Sequence, residues 1–313
     1  LMVRDIIIDC DPGHDDSVAI LMALAHPEKL NILGLTTVGG NQLLEKVTKN
    51  ALRILELAGS HIPVAAGAEK PLLRPLRTGA DAHGDSGMDG PELFEPQRRI
   101  LEMGAVEFLY QTISRHPRPV TLVPLGPLTN IALLLQSYPE IKSKIEEICL
   151  MGGGIHVGNL TAAAEFNIYV DPEAAAIVFE SGIPIIMAGL DVTHQAIMTL
   201  PEMEKLKGQG KVADFVYQML VFYEKAGRRF GFEGAVMHDP CAIGYLLAPE
   251  LFSGKEYAVV VETKGEWTSG MTLADERKIP DRQPNALVLL EVKRKEFAEL
   301  VLDSLLSKKW DRQ

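Results

Sequence analysis

Short, nearly continuous apolar runs rich in β-branched residues alternate along this chain with segments of helical period. No other feature constrains the fold as much. The runs are VRDIIID (3–9), NILGLTTV (31–38), PVAAG (63–67), VTLVPL (120–125), EICLMGG (147–153), PIIMAGLD (184–191), YAVVVET (257–263) and ALVLLEV (286–292). Few polar residues interrupt them, which suits strands covered on both faces. Between them, SVAILMALAHP, LEKVTKNALRILELAG, AVEFLYQTISRH, TNIALLLQSYPE and PEAAAIVFESG predict helices. Strand followed by helix, repeated, implies right-handed crossovers and a mainly parallel sheet. The expected fold is α/β: an open, mainly parallel, Rossmann-like sheet flanked by helices, in a single domain over 1–313.

Residues 201–230 break the rhythm with two helical stretches and no strand between them, which predicts a helical insertion beside the sheet. KEFAELVLDSLLSKKW reads as a final amphipathic helix, and the Gly/Asp/Pro-rich stretch 77–96 as a long, function-bearing loop. With 47% hydrophobic and 23% charged residues, the composition is that of a soluble globular protein. A net charge of −11 and the lack of a Lys/Arg run argue against nucleic acid. No apolar run reaches the roughly 18 residues of a membrane helix. Three scattered cysteines (Cys10, Cys149, Cys241) and no signal pattern predict a reducing, cytoplasmic setting. Without such a signal, the NLT triplet at Asn159 is a chance match to a glycosylation acceptor.

Ligands of open parallel sheets lie beyond the carboxyl ends of the strands. There the first run ends in DCDPGHDD, with Asp9, Asp11, Asp15 and Asp16 around one tight turn. Two carboxylates about 4 Å apart repel by roughly 1 kcal/mol in water and about 4 kcal/mol in a partly buried site. One aspartate suffices to complement a helix start, so four predict an oxygen-ligand site for a hard cation, Ca²⁺ or Mg²⁺. Strand alternation puts Asp9 and Asp11 on one side and turns Cys10 away as a buried structural thiol. Asn41, Leu125 with the following GPLTN turn, MGGG (151–154) and Asp191 also fall at strand ends.

Two further clusters are weaker alone. In MHDPC (237–241), Asp239-Pro240 reads equally as a helix N-cap with a first-turn proline. In NLTAAAEFNIYVDPEAA (159–175), Asn159, Glu165 and Asn167 offer groups suited to hydroxyls, while DPEAA is another helix start.

In order along the chain, DCDPGHDD, TTVGGNQ, HGDSGMDGP, LVPLGPLTN, LMGGG, AEFNIYVDPEAA, GLDVTH and HDPCAI resemble the inosine–uridine-preferring nucleoside N-ribohydrolases over about residues 5–275. The resemblance implies a ribonucleoside substrate, a bound Ca²⁺ and a homo-oligomer, dimer or tetramer. It implies metal ligation by Asp11, Asp16, Asp239 and the backbone carbonyl of Leu125, where this family usually has threonine. Asp15, Asn167 and Asp239 would bind the 2′- and 3′-hydroxyls, and Asn159 and Glu165 the 5′-hydroxyl. Asn41, Met151 and Phe166 would complete the sugar site. Asp11 would take the proton of the attacking water. His238, beside Asp239, and His83, near the leaving base, would protonate that base, and both are expected to titrate near neutrality.

The sequence departs from the family pattern in places. Asp85 stands where members usually carry glutamate. Phe222, Tyr223, Arg229 and Phe230 in the insertion are candidates to line the base pocket. Neither Trp267 nor Trp310 falls where purine-specific relatives place stacking tryptophans, so the expected specificity is broad or pyrimidine-leaning. His194 is expected to be structural or to support the site from behind. Two rival readings stand: a Mg²⁺ phosphohydrolase of the haloacid dehalogenase type, which also opens on a strand and a D-x-D pair, and a non-catalytic nucleoside or calcium sensor.

Overall fold

A computed structural model describes residues 3–277 and 281–312. The chain opens with β1 (Arg4–Cys10), α1 (His14–Ala25), β2 (Leu30–Thr37), α2 (Leu44–Leu57), β3 (Val64–Ala66) and the one-turn α3 (Ala80–His83). It continues through α4 (Ala105–Arg115), β4 (Val120–Pro124), α5 (Thr129–Ser137), β5 (Ile145–Met151), α6 (Phe166–Val170), α7 (Pro172–Phe179), β6 (Ile185–Ala188) and α8 (Leu190–Thr193). Then follow β7 (Ile197–Met198), α9 (Leu200–Glu204), α10 (Lys211–Arg228), β8 (Ala235–Val236), α11 (His238–Leu247), β9 (Phe252–Tyr257), β10 (Val259–Val261), β11 (Thr272–Ala274), β12 (Ala286–Val292) and α12 (Arg294–Leu305).

Eight strands form the main sheet in the order β3-β2-β1-β4-β5-β6-β12-β9. All neighbours pair in parallel except β12 with β9. Period-two burial sorts β1: Ile6, Ile8 and Cys10 join the apolar layer of α1, α2, α10, α11 and α12, while Ile7 joins that of α4, α5 and α7. From His14 to Leu24 every residue of α1 is buried, because α11 and α12 cover the face that the sheet does not. That explains why this helix reads ILMALA instead of amphipathic. The fold is the α/β sheet expected from the alternation, and α9 and α10 are the helical insertion, framed by the antiparallel β7–β8 pair.

Two strands differ from the sequence expectation. YAVVVET is not one strand: the main-sheet strand ends at Tyr257, and Val259 begins a small antiparallel pair with β11. Asn285 makes the break, accepting the Val259 N–H at 2.8 Å and donating to its carbonyl at 2.9 Å. The missing part of β9, FSGKE, exposes its interior residues at the sheet edge and so carries no apolar signal. PIIMAGLD also stops early, at Ala188, and Asp191 lies in α8. No described helix is long and apolar enough to cross a membrane.

Candidate active site

Strand order reverses between β1 and β4, and the two strands part at their carboxyl ends. The last ladder-like bond there is from the Leu125 N–H to the Asp9 carbonyl, 2.7 Å. Asp11 lies just beyond, between two glycines. A Cβ on Gly40 would overlap its Oδ2, and one on Gly126 would overlap its Oδ1. Oδ2 accepts the Asn41 backbone N–H at 2.7 Å. Oδ1 is buried with no hydrogen-bond partner among the described residues. Asp16 accepts the backbone N–H groups of Asp11 (3.2 Å) and Gly13 (3.1 Å) and the Asn41 side-chain amide (3.1 Å). It thus ties the turn to the start of α1, as the helix-capping reading requires, while remaining in the acid cluster.

Asp15, Asp16 and Asp239 present carboxylate oxygens that all lie within 4.8 Å of one another, and all three are buried. Asp239 arrives from the first turn of α11, whose N-cap is Met237. The capping explanation for Asp239 therefore fails; its N–H instead points at Asp15 Oδ2, 3.4 Å away. Burial and repulsion from neighbouring carboxylates push Asp11 and Asp239 well above the usual carboxylate range and Asp15 up to about 8, while burial raises Asp16 against the hydrogen bonds that lower it. A buried, oxygen-only donor set with one unmatched carboxylate oxygen fits a hard divalent cation. Asp9 stands apart: Asn130 donates to it at 2.8 Å, Thr36 also donates, and burial raises it to about 7.

The second wall is built by the loop into α6. Glu165 caps that helix, accepting from Asn167 N–H (2.9 Å) and Ile168 N–H (3.2 Å), and also from Gly153 N–H (2.9 Å). Burial lifts its pKa to about 7 against those bonds. Asn167 donates through its side-chain nitrogen to the carbonyls of Leu125 (2.8 Å) and Met151 (3.1 Å). Asn159 accepts the Phe166 N–H at 2.9 Å and keeps its amide group free on the cavity side.

Opposite this wall lies an aromatic one. The cavity between them, about 670 Å³, reaches from Asp15, Leu125 and Asp239 past Asn41, Met151, Asn159 and Phe166 to His83, Tyr223 and His238. That volume is in the range of small-molecule sites. Among the insertion candidates, Tyr223 and Phe230 line it, joined by Phe232. Phe222 instead stacks on His14 at 5.4 Å, and Arg229 is not in the wall. Asp85 is exposed and lies outside the cavity lining, and neither tryptophan lines the cavity. Asp191 serves the adjoining loop, accepting from the Ile155 and His156 N–H groups at 2.8 and 3.1 Å.

The histidines do not titrate near neutrality as expected. Burial holds His83 well below its ordinary value and His238 down to about 3, with His14 and His194 respectively adding to the effect. His14, read past within DCDPGHDD, contacts His83: their Nδ1 atoms are 3.1 Å apart and their rings stack at 5.3 Å. Its Nε2 faces the Asp89 carbonyl at 2.8 Å, which can only accept, so that nitrogen carries the proton. Thr193, 2.8 Å from His238 Nδ1, was also missed. The quoted GLDVTH contains it, but nothing in that hexapeptide says that the hydroxyl meets a residue 45 positions on. His194 packs edge-on to His238 at 5.8 Å and reaches the cavity.

Residues 6–299 match the family described as inosine-uridine preferring nucleoside hydrolase. The pyrimidine-specific ribonucleoside hydrolase RihA of Shewanella sp. (strain MR-7) is 52% identical over 308 residues, covering 97% of this chain and 96% of that protein. RihA of Escherichia coli (strain K12) is 49% identical, covering 97% of this chain and 99% of that one. A purine-preferring ribonucleoside hydrolase from Gardnerella vaginalis has the same fold, with a TM-score of 0.92 at 33% identity over 99% of this chain and 100% of that chain. With the acid cluster, the polar wall and the aromatic wall meeting at one sheet switch point, the chain belongs to the inosine-uridine preferring nucleoside hydrolase family.

Proposed function

We propose that this ribonucleoside hydrolase cleaves the N-glycosidic bond of pyrimidine ribonucleosides, yielding ribose and the free base, with calcium at the acid cluster. The observation that carries the metal reading is Asp11 Oδ1, a buried carboxylate oxygen without a partner, beside three more buried carboxylates. Pyrimidine preference rests on the names of relatives at 49–52% identity and on a base wall that contains no tryptophan. Family membership leaves the haloacid-dehalogenase reading without support.

Asp11, Asp16, Asp239 and the Leu125 carbonyl would hold the ion. When bound, such an ion orients a vicinal diol and acidifies water. The chain's own residues do the rest. Asp15, Asp239 and the Asn167 side-chain oxygen accept from the 2′- and 3′-hydroxyls, Asn159 and Glu165 hold the 5′-hydroxyl, and Asn41, Met151 and Phe166 close the sugar pocket. Positive charge develops on the ribose as the bond stretches, and the surrounding carboxylates stabilise it. Asp11 takes the proton of the attacking water. His238 and His83 sit against the departing base as neutral rings. As negative charge grows on that base, one of these rings takes up a proton from solvent and passes it to the base, while the proton that Asp11 removed from water is later released to solvent. Reducing-sugar release from uridine, cytidine, inosine and adenosine, with calcium and with chelator, tests this. Calcium-dependent release from the two pyrimidines is expected. Nucleoside binding without any release would return the non-catalytic reading.

A further inference from the structure

We propose that Asn167 is a positioning residue for the Leu125 carbonyl, fixing that main-chain oxygen as a metal ligand before any nucleoside arrives. The inference rests on the calcium reading above but concerns a role that sugar binding does not require. Both partners of the Asn167 side-chain nitrogen are main-chain carbonyls, Leu125 at 2.8 Å and Met151 at 3.1 Å. A carbonyl only accepts, so the amide orientation is settled and both its hydrogens are committed. Among the described residues, no other donor reaches the Leu125 oxygen.

Leu125 needs such support. It is the first residue past β4, held on its other side by the 2.7 Å bond to the Asp9 carbonyl and followed by Gly126, where a side chain would displace Asp11. A glycine after the ligand leaves the peptide free to rotate. Asn167 removes that freedom by occupying one of the two carbonyl lone pairs, leaving the second open to a metal ion. It is itself rigidly held: its N–H is bound by Glu165 Oε1 at 2.9 Å, and Glu165 is anchored to Gly153 at 2.9 Å. The ends of β4 and β5 are thereby tied into one frame through a single amide. Partners that orient a metal ligand are worth about 10- to 100-fold in metal affinity.

The test is calcium titration by calorimetry on the full-length, metal-stripped protein without nucleoside. Asn167→Ala is expected to weaken calcium binding by about tenfold or more, with folding checked by its melting transition in chelator. Asn159→Ala, which removes another polar group of the sugar wall without touching Leu125, is expected to leave calcium affinity unchanged. Should Asn167→Ala fail to fold, Asn167→Ser, too short to reach Leu125, is read in the same way. Equal calcium affinity in wild type and the Asn167 variant overturns the positioning role alone. A wild type without calcium affinity overturns the metal reading and this proposal with it.

Discussion

Thr193 Oγ1 stands 2.8 Å from Nδ1 of His238, a residue that lines the cavity. A hydroxyl donating to Nδ1 leaves the neutral ring's single proton on Nε2. A threonine hydroxyl can also accept, so the contact fixes the place of the ring and is compatible with the Nε2-protonated tautomer that can hydrogen-bond a leaving base.

His238→Ala should lower kcat on uridine by about 10²- to 10⁴-fold, the range for a general acid. It should matter far less for a nitrophenyl riboside, whose leaving group needs no proton. Thr193→Val should give a smaller loss with the same substrate dependence, and Thr193→Ser should restore activity. Equal losses on both substrates would remove His238 from the proton path.

Gly126 and Gly40 bracket the Asp11 carboxylate so closely that a methyl at either position overlaps one of its oxygens. Gly126→Ala intrudes on Oδ1, the atom that lacks a partner. It should abolish calcium binding and turnover together while shifting the melting temperature in chelator by only a few degrees. Asp11→Ala should reduce turnover by at least about 10²-fold as the base is lost. Calorimetry and uridine assays on the same preparations decide the matter. A Gly126→Ala protein that keeps wild-type calcium affinity would show that Oδ1 is not a ligand.

Without metal, the site's acids hold protons that an unfolded chain would release. Asp9 and Glu165 are raised to about 7 and Asp15 to about 8, chiefly by burial. The folded state thus binds more protons than the unfolded state, so stability is fully present at low pH and is lost as pH rises through those values. His83 and His238 are depressed, so they act on stability only below about pH 6.5. Between pH 6.5 and 8 the melting temperature of metal-stripped protein should fall. Saturating calcium should raise it at every pH, most at pH 8, because the ion binds the deprotonated carboxylates. Melts that rise with pH in chelator would refute the assignment of these raised groups.

How far the sequence reaches is visible in particular residues. The parallel sheet and its switch point are legible because fully covered strands and buried helices leave continuous apolar runs, as in β1 and α1. The edge strand β9 is not, since SGKE (253–256) faces solvent and its pairing is decided by β12. Asp11, Asp15 and Asp16 are legible because so many acids at one turn demand an explanation. Asp239 becomes convincing only once α11 is seen to deliver it to Asp15, 224 residues away in sequence. The histidine pKa values are not legible, because a motif shows which residues are present but not how dry their surroundings are. His14, Thr193 and the amide of Asn167 act through contacts with other chain segments, and no local pattern encodes those.

Asn159 offers the last test, at the far end of the sugar. Its Oδ1 is committed to the Phe166 N–H at 2.9 Å, so only its amide nitrogen remains for a substrate. That group can donate to a 5′-oxygen but cannot accept from one, while Glu165, with its three backbone donors, supplies the acceptor. Removing one hydrogen bond to an uncharged partner costs about 0.5–1.5 kcal/mol, a factor of roughly 2 to 12 in rate constant. Asn159→Ala should therefore lower kcat/KM on uridine by a factor in that range and leave 5′-deoxyuridine nearly unaffected. The wild-type preference for uridine over its 5′-deoxy analogue should shrink by the same factor. If Asn159→Ala slows both substrates equally, the residue only braces the loop into α6, and the 5′-hydroxyl is held elsewhere.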